Sequence, residues 1–181
     1  WTQDIATGCP RGDSRRAAIW AADGSSVTDL QTLLPANSGW LNLNAGDINN
    51  NGLIVGTGEW FGVTRGFVFD LSTGSITAIP LVPGATINDV WKVNDSGAVI
   101  GVLDDEIIGG GPFQQGGWGY IWDGFSSESE LVPSASTGMA LARGLNNSGM
   151  LVGDSWINSP TSKNEGDMTR WVRDASGDWI A

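Results

Sequence analysis

The chain has 181 residues, which suits one domain with its own apolar core, and its 9 basic and 20 acidic residues give a formal net charge of -11. Such a surface repels phosphate, so binding to nucleic acid is not expected, and no apolar run approaches the roughly 20 residues that cross a bilayer. The sequence contains no His, which excludes Ser-His-Asp triads and zinc sites built from imidazole.

The first regular pattern begins at residues 17–20, where Ala-Ala-Ile-Trp predicts a short strand. Turn residues follow, and the stretch Val27–Leu34 predicts a second strand. Residues 45–56 read Ala-Gly-Asp-Ile-Asn-Asn-Asn-Gly-Leu-Ile-Val-Gly, the pattern of a β-hairpin in which Gly52 supplies the positive φ of the turn. We name these four predicted strands A, B, C and D, with C and D forming the hairpin.

The four elements recur along the chain. The C–D pattern returns at residues 90–101 and 142–153, aligned with the first copy without gaps. Strand A returns at residues 66–69, 119–122 and 170–172. Successive A strands are 49, 53 and 50 residues apart, a period typical of four-stranded propeller blades.

The sequence therefore predicts one all-β domain over residues 1–181, a propeller-like array of four-stranded antiparallel blades. About four blades are expected, or a fragment of a larger propeller. The predicted repeats are 17–65, 66–118 and 119–167, with partial repeats at 1–16 and 168–181. A β-trefoil or a stacked solenoid would also use repeats of this size, but a trefoil has no place for the fourth start at the end of the chain.

The connections from D to A and from B to C vary in length, whereas the A–B and C–D turns stay short. In an up-and-down blade the variable connections share one side of the molecule, and loops carry most binding function. We therefore predict a ligand site on that side. Its predicted residues are Trp60, Asp104, Asp105, Glu106, Trp118 and Trp156.

The tryptophans of this set suggest a sugar, because indole rings stack on sugar faces. The alternative is that they cover blade edges or contact other subunits, since aromatic residues are enriched at protein interfaces. Trp20, Trp122 and Trp171 fall in strand A, where packing between blades explains them. Paired carboxylates for glycoside hydrolysis would need only two acids at a suitable separation, but nothing in the sequence marks such a pair, and no catalytic residue is predicted.

Residues 47–52 fit the opening of an Asp-x-Asn-x-Asn-Gly calcium loop, with Asp47, Asn49 and Asn51 as ligands. The first carboxylate is replaced by Lys92 and Gly144 in the other two hairpins, and no bidentate Glu follows. A plain turn is therefore the favoured interpretation. No cofactor is expected, with calcium at these three residues as the alternative.

The pattern of an aromatic strand followed by aliphatic-Asn-x-x-Gly-x-aliphatic-Val-Gly resembles the HAF repeat of exported bacterial proteins, named for a His-Ala-Phe tripeptide. The match covers about residues 16–174 and is strongest at 48–56. The positions that match the tripeptide are Arg16-Ala17-Ala18, Arg65-Gly66-Phe67, Trp118-Gly119-Tyr120 and Thr169-Arg170-Trp171. The resemblance implies a repeat β fold and export to the outside or the surface of a bacterial cell, with no established enzymatic role.

These observations predict a non-catalytic, extracellular or cell-surface β-repeat module for binding or structural assembly. Its expected partners are another protein or further copies of the chain. The alternative is a carbohydrate-active protein, either lectin-like or a carboxylate-based glycosidase, that uses the side with the D–A loops and takes a glycan as its ligand.

Overall fold

The computed structural model of the protein describes residues 16–85, 88–103, 118–134, 140–156 and 166–180. Strands account for nearly all the regular structure in these ranges, which contain one short 3-10 helix at Leu30–Leu33 and no α-helix. The predicted all-β class is confirmed. The strands are β1 (Ala18–Trp20), β2 (Val27–Asp29), β3 (Trp40–Ile48), β4 (Leu53–Trp60), β5 (Val63–Asp70), β6 (Ser75–Ala78), β7 (Asn88–Val93), β8 (Val99–Leu103), β9 (Trp118–Trp122), β10 (Glu130–Leu131), β11 (Ala140–Leu145), β12 (Leu151–Trp156), β13 (Gly166–Arg173) and β14 (Trp179–Ile180).

The strands form three four-stranded antiparallel sheets and one two-stranded sheet, each in chain order. We call β3–β6 the first sheet, β7–β10 the second, β11–β14 the third, and β1 with β2 the half-sheet. In the lettering of the sequence, a four-stranded sheet consists of C, D, A and B. Each sheet thus joins the hairpin of one sequence repeat to strands A and B of the next, and among the described residues the half-sheet has only A and B.

The second predicted strand is shorter than expected. Residues Val27–Asp29 form β2, but Leu30–Leu33 turn into the 3-10 helix. Asp29 causes this change, because its Oδ1 accepts the N–H of Gln31 at 2.9 Å and so caps the helix. The predicted Val27–Leu34 strand is therefore only half correct.

Each C–D turn is organised by its Asn side chain. Oδ1 of Asn49 accepts the N–H groups of Asn51 and Leu53 at 3.0 and 2.9 Å, and Asn94 and Asn146 accept the corresponding pairs in the other hairpins. The Gly three positions later has φ of 80°, 88° and 79° in the three copies, a conformation that strongly favours Gly. The predicted hairpin turns are confirmed.

The second Gly of the C–D pattern recurs for a different reason. Gly56, Gly101 and Gly153 each lie in strand D beside a β-bulge in strand C. A Cβ atom at any of the three would overlap a backbone carbonyl oxygen of strand C. The recurrence of this Gly therefore reflects close contact between backbones rather than turn geometry.

Neighbouring sheets pack face to face through three apolar clusters. Phe67 and Ile54 lie in the cluster between the half-sheet and the first sheet. Adjacent residues of strand D point to opposite faces, so Val55 belongs to the cluster between the first and second sheets. Likewise Val99 faces the first sheet and Ile100 the third. Burial on both faces explains why strand D is apolar at consecutive positions.

Candidate functional site

Of the predicted sugar site, the side chains of Trp60 and Trp118 are described, and both are half-buried. Trp60 ends β4, and its ring stacks on Trp40 with centroids 5.9 Å apart, while Phe61 lies 5.5 Å away. Trp118 begins β9 opposite Leu103 and packs on the cluster between the first and second sheets. The two indoles belong to different apolar clusters, and no described ring contact joins them.

The side chains of the other four predicted site residues lie outside the description. Asp104, Asp105 and Glu106 lie outside the described residues. Trp156 ends β12, where its backbone pairs with Gly166, and its side chain lies outside the description. In the first sheet the D–A connection next to Trp60 is only a two-residue turn between β4 and β5.

The residues of the calcium-loop pattern bind protein atoms of the second sheet. Oδ2 of Asp47 accepts the N–H of Val93 at 3.2 Å, and its Oδ1 lies 3.8 Å from Nζ of Lys92. Nδ2 of Asn51 donates to the carbonyl oxygen of Asp95 at 2.7 Å. Within the described ranges, no group of three or more acidic or Cys side chains is placed to hold a metal ion.

We expect the melting temperature to be the same in calcium and in excess chelator, because these side chains already have protein partners. Thermal unfolding followed by circular dichroism measures this. A rise in melting temperature with calcium that Asp47→Asn abolishes would show that the loop binds the ion.

The three C–D tips are joined by the same Asn residues that form their turns. Nδ2 of Asn49 donates to the carbonyl oxygen of Asn94 at 2.8 Å, and Nδ2 of Asn94 donates to that of Asn146 at 2.9 Å. We call this chain of bonds the tip ladder. Asp or Ser could cap the turn as well, but Asp has no donor and Ser has a single oxygen for both purposes, whereas Asn has a carbonyl oxygen for its own turn and a separate NH2 donor for the next. The strict recurrence of Asn was the signal for the ladder, which the sequence interpretation missed.

Asp95 links all three tips beside the ladder. Its carboxylate accepts the backbone N–H and Nδ2 of Asn50 at 3.0 and 2.8 Å, and Nδ2 of Asn147 at 2.7 Å. Its own N–H donates to Oδ1 of Asn147 at 2.9 Å. The side-chain bond from Asn50, followed by the other bonds, holds the pKa of Asp95 below its ordinary value of 3.8.

This lowered pKa makes the contribution of Asp95 to stability depend on pH. The contribution is present above the unfolded-state pKa and is lost as the pH falls through the folded-state value. We therefore expect Asp95→Asn to lower the melting temperature at neutral pH and the difference from wild type to shrink below about pH 4. Thermal melts across this range test the prediction, which a difference independent of pH would contradict.

The described residues leave one side of the third sheet uncovered. Val152 occupies the aligned position of Val55 and Ile100, which are fully buried, yet it is 47% exposed. The strand register places Met168 and Ile180 on the same side, and they are 91% and 50% exposed. We call Val152, Met168 and Ile180 the end face.

The outer side of the half-sheet is likewise uncovered by the part of the chain that the structure describes. Trp20 and Val27 lie opposite one another and are 62% and 58% exposed. The expectation that Trp20 packs between sheets is wrong, because the described residues place no sheet on that side, whereas Trp171 is fully buried as expected. Within the described residues β1 pairs only with β2, although the other A strands also pair with a strand D.

A pocket of about 320 Å³ opens between the turns of the second and third sheets. Arg173 and Trp179 line it, with the guanidinium carbon 4.3 Å from the ring centroid. Arg173 also binds Glu130 at 2.9 Å, and the carboxylate of Asp123, another lining residue, accepts bonds from Ser126. The charged groups of this pocket are therefore engaged with protein partners.

The described residues include no helix long and apolar enough to cross a membrane. No family model matches the sequence, and comparison with curated proteins and with solved structures likewise gave no match.

Proposed function

We propose that this chain is a non-catalytic β-repeat module that acts in assembly, with the end face as its contact surface. The observation that carries this is the exposure of Val152, at a position that is fully buried as Val55 and Ile100 in the other two sheets. Burying apolar surface contributes about 25 cal/mol per Å². Repeat proteins that stay monomeric cover their end repeats with polar residues, so an apolar end favours a further contact.

The sheets of this module are, in our proposal, arranged as the blades of a propeller. Three features support it: the regular period near 50 residues, the four-stranded antiparallel sheets in chain order, and a half-sheet in which the described residues form only strands A and B. In a closed propeller, strands from distant parts of the chain complete one blade. The half-sheet is the candidate for that blade.

We propose that the module works outside the cell or on the bacterial surface. The resemblance to the HAF repeat supports this location, and the formal charge of -11 disfavours nucleic acid as a partner. The carbohydrate alternative has less support, because Trp60 stacks on Trp40 and Trp118 packs against an apolar cluster, so each indole already has an aromatic or apolar partner within the protein.

Sedimentation velocity over a range of protein concentrations tests the assembly function. We expect wild type to form larger species as concentration rises and Val152→Asp to stay monomeric. Phe125→Asp is the matched control, since Phe125 is 85% exposed in a turn away from the end face and its change leaves association intact. A wild type that is monomeric throughout, together with glycan-array binding that Trp60→Ala or Trp118→Ala abolishes, would favour the carbohydrate function instead.

A further inference from the structure

We propose that the end face binds a fourth C–D hairpin of the repeat type, with an Asn-x-x-Gly tip, supplied from outside the copy that carries the face. This inference rests on the proposed assembly function and names its partner. The sequence contains Asn-x-x-Gly three times, at 49–52, 94–97 and 146–149, and each copy already forms a tip within its own sheet. Within one copy all three hairpins are therefore already used, and the hairpin that fits the end face comes from outside that copy.

The tip ladder is the first observation that identifies a hairpin. Asn49 and Asn94 each donate from Nδ2 to the carbonyl oxygen of the following tip. Asn146 caps its own turn in the same way and its side chain is exposed, but its Nδ2 has no tip carbonyl to reach within the described residues. The Asn carbonyl oxygen of a further C–D tip is the group that would accept this donor.

The packing of strand C is the second observation. Val90, in strand C of the second sheet, is 4% exposed in one cluster with Val55. Ala142, in strand C of the third sheet, is fully buried in one cluster with Ile100. A strand C thus covers this strand D position at both internal interfaces, and Val152 is the position that a fourth strand C would cover.

The half-sheet supplies the third observation. Ile48, in strand C of the first sheet, is 52% exposed, whereas the aligned Val93 in β7 is 8% exposed. Val93 is covered because strand D of the first sheet, β4, lies beside β7. A strand D added to the open edge of β1 would cover Ile48 in the same manner. In the proposed propeller one added hairpin places its strand C on the end face and its strand D along β1 by β-strand addition.

One residue on the end face departs from the repeat. Gly66 and Gly119 stand where strand C of the next sheet comes close, and a Cβ at either would lie only 2.5 Å from a residue of that strand. The strand register places Met168 at this position of the third sheet, and it is 91% exposed. Its side chain has to swing aside for the hairpin, so Met168→Gly is expected to strengthen binding.

The test adds a peptide with the sequence of residues 88–103, the chain's own second hairpin, to the 181-residue protein. Binding is measured by calorimetry, and protection of β1 and β12 by hydrogen exchange. We expect saturable binding, slower exchange at both strands, and tighter binding to Met168→Gly. Asn146→Asp keeps the turn-capping oxygen but loses the donor, and is expected to weaken binding about tenfold.

A second experiment applies if the isolated peptide does not fold. Residues 79–103 are appended after Ala181, and we expect a higher melting temperature and the same protection of β1, both reduced by Asn146→Asp. Unchanged exchange in both experiments would overturn the hairpin proposal. In that case the assembly function would still be supported if wild type associates and Val152→Asp does not. The hairpin proposal and the assembly function can therefore fail separately.

Discussion

Gly101→Ala is expected to destabilise the protein by about 3 kcal/mol, at the upper end of overpacking effects. The new methyl group would overlap the carbonyl oxygen of Asp89 and lie 2.7 Å from Cε1 of Tyr120, which is fully buried. Neither the bulged strand C nor the packed ring has room to move away. Urea unfolding followed by tryptophan fluorescence measures the loss.

Gly149→Ala is the matched control for this change. Gly149 has φ of 79°, but a Cβ there would meet nothing within 4 Å, so only backbone strain of about 1 kcal/mol is expected. Gly153→Ala repeats the clash in the third sheet and should behave like Gly101→Ala. Equal losses for Gly101→Ala and Gly149→Ala would contradict the packing role of the second Gly.

Asn94→Ala is expected to lower the free energy of unfolding by about 3 kcal/mol, because the Asn94 side chain takes part in both its own turn and the tip ladder. Asn94 is only 3% exposed, caps its own turn, and donates to the carbonyl oxygen of Asn146. Its removal leaves buried N–H groups without acceptors and breaks the tip ladder between the second and third sheets. The free energy of unfolding in urea is the measurement.

Asn146→Ala separates these two contributions. Asn146 caps an equivalent turn, but its side chain is exposed and gives no bond to a further tip within the described residues, so about 1 kcal/mol is expected. The difference in unfolding free energy between the two variants then measures the bond from Asn94 to the third sheet, together with the burial of the Asn94 side chain. If both variants lose the same free energy, the ladder contributes nothing to stability.

Local patterns predicted the strands and the turns well. The C–D hairpins are encoded by neighbouring residues, since Asn caps the turn and Gly52 and its counterparts adopt positive φ. A repeating pattern has no defined starting point, however, so the sequence could not decide which four consecutive strands share a sheet. The answer, C-D-A-B, depends on the pairing of β4 with β5 through a two-residue turn.

The candidate site was harder to predict because it depends on what lies next to a residue. Val152 has the same local sequence context as Val55 and Ile100, yet only Val152 is exposed. Trp20 and Phe69 hold the same place in strand A, and Phe69 is buried while Trp20 is not. The side-chain pattern therefore predicted which faces of the strands are apolar, but not which of these faces are left without a covering sheet.

The tip ladder also gives the stack of sheets a direction. Every link in it runs from an amide donor to a carbonyl oxygen of the hairpin later in the chain, so one end offers a donor at Asn146 and the other a carbonyl acceptor at Asn49. Two donors cannot pair, and neither can two acceptors. Units joined through the ladder would all point the same way, and such head-to-tail contacts produce closed rings or polar filaments rather than two-fold dimers.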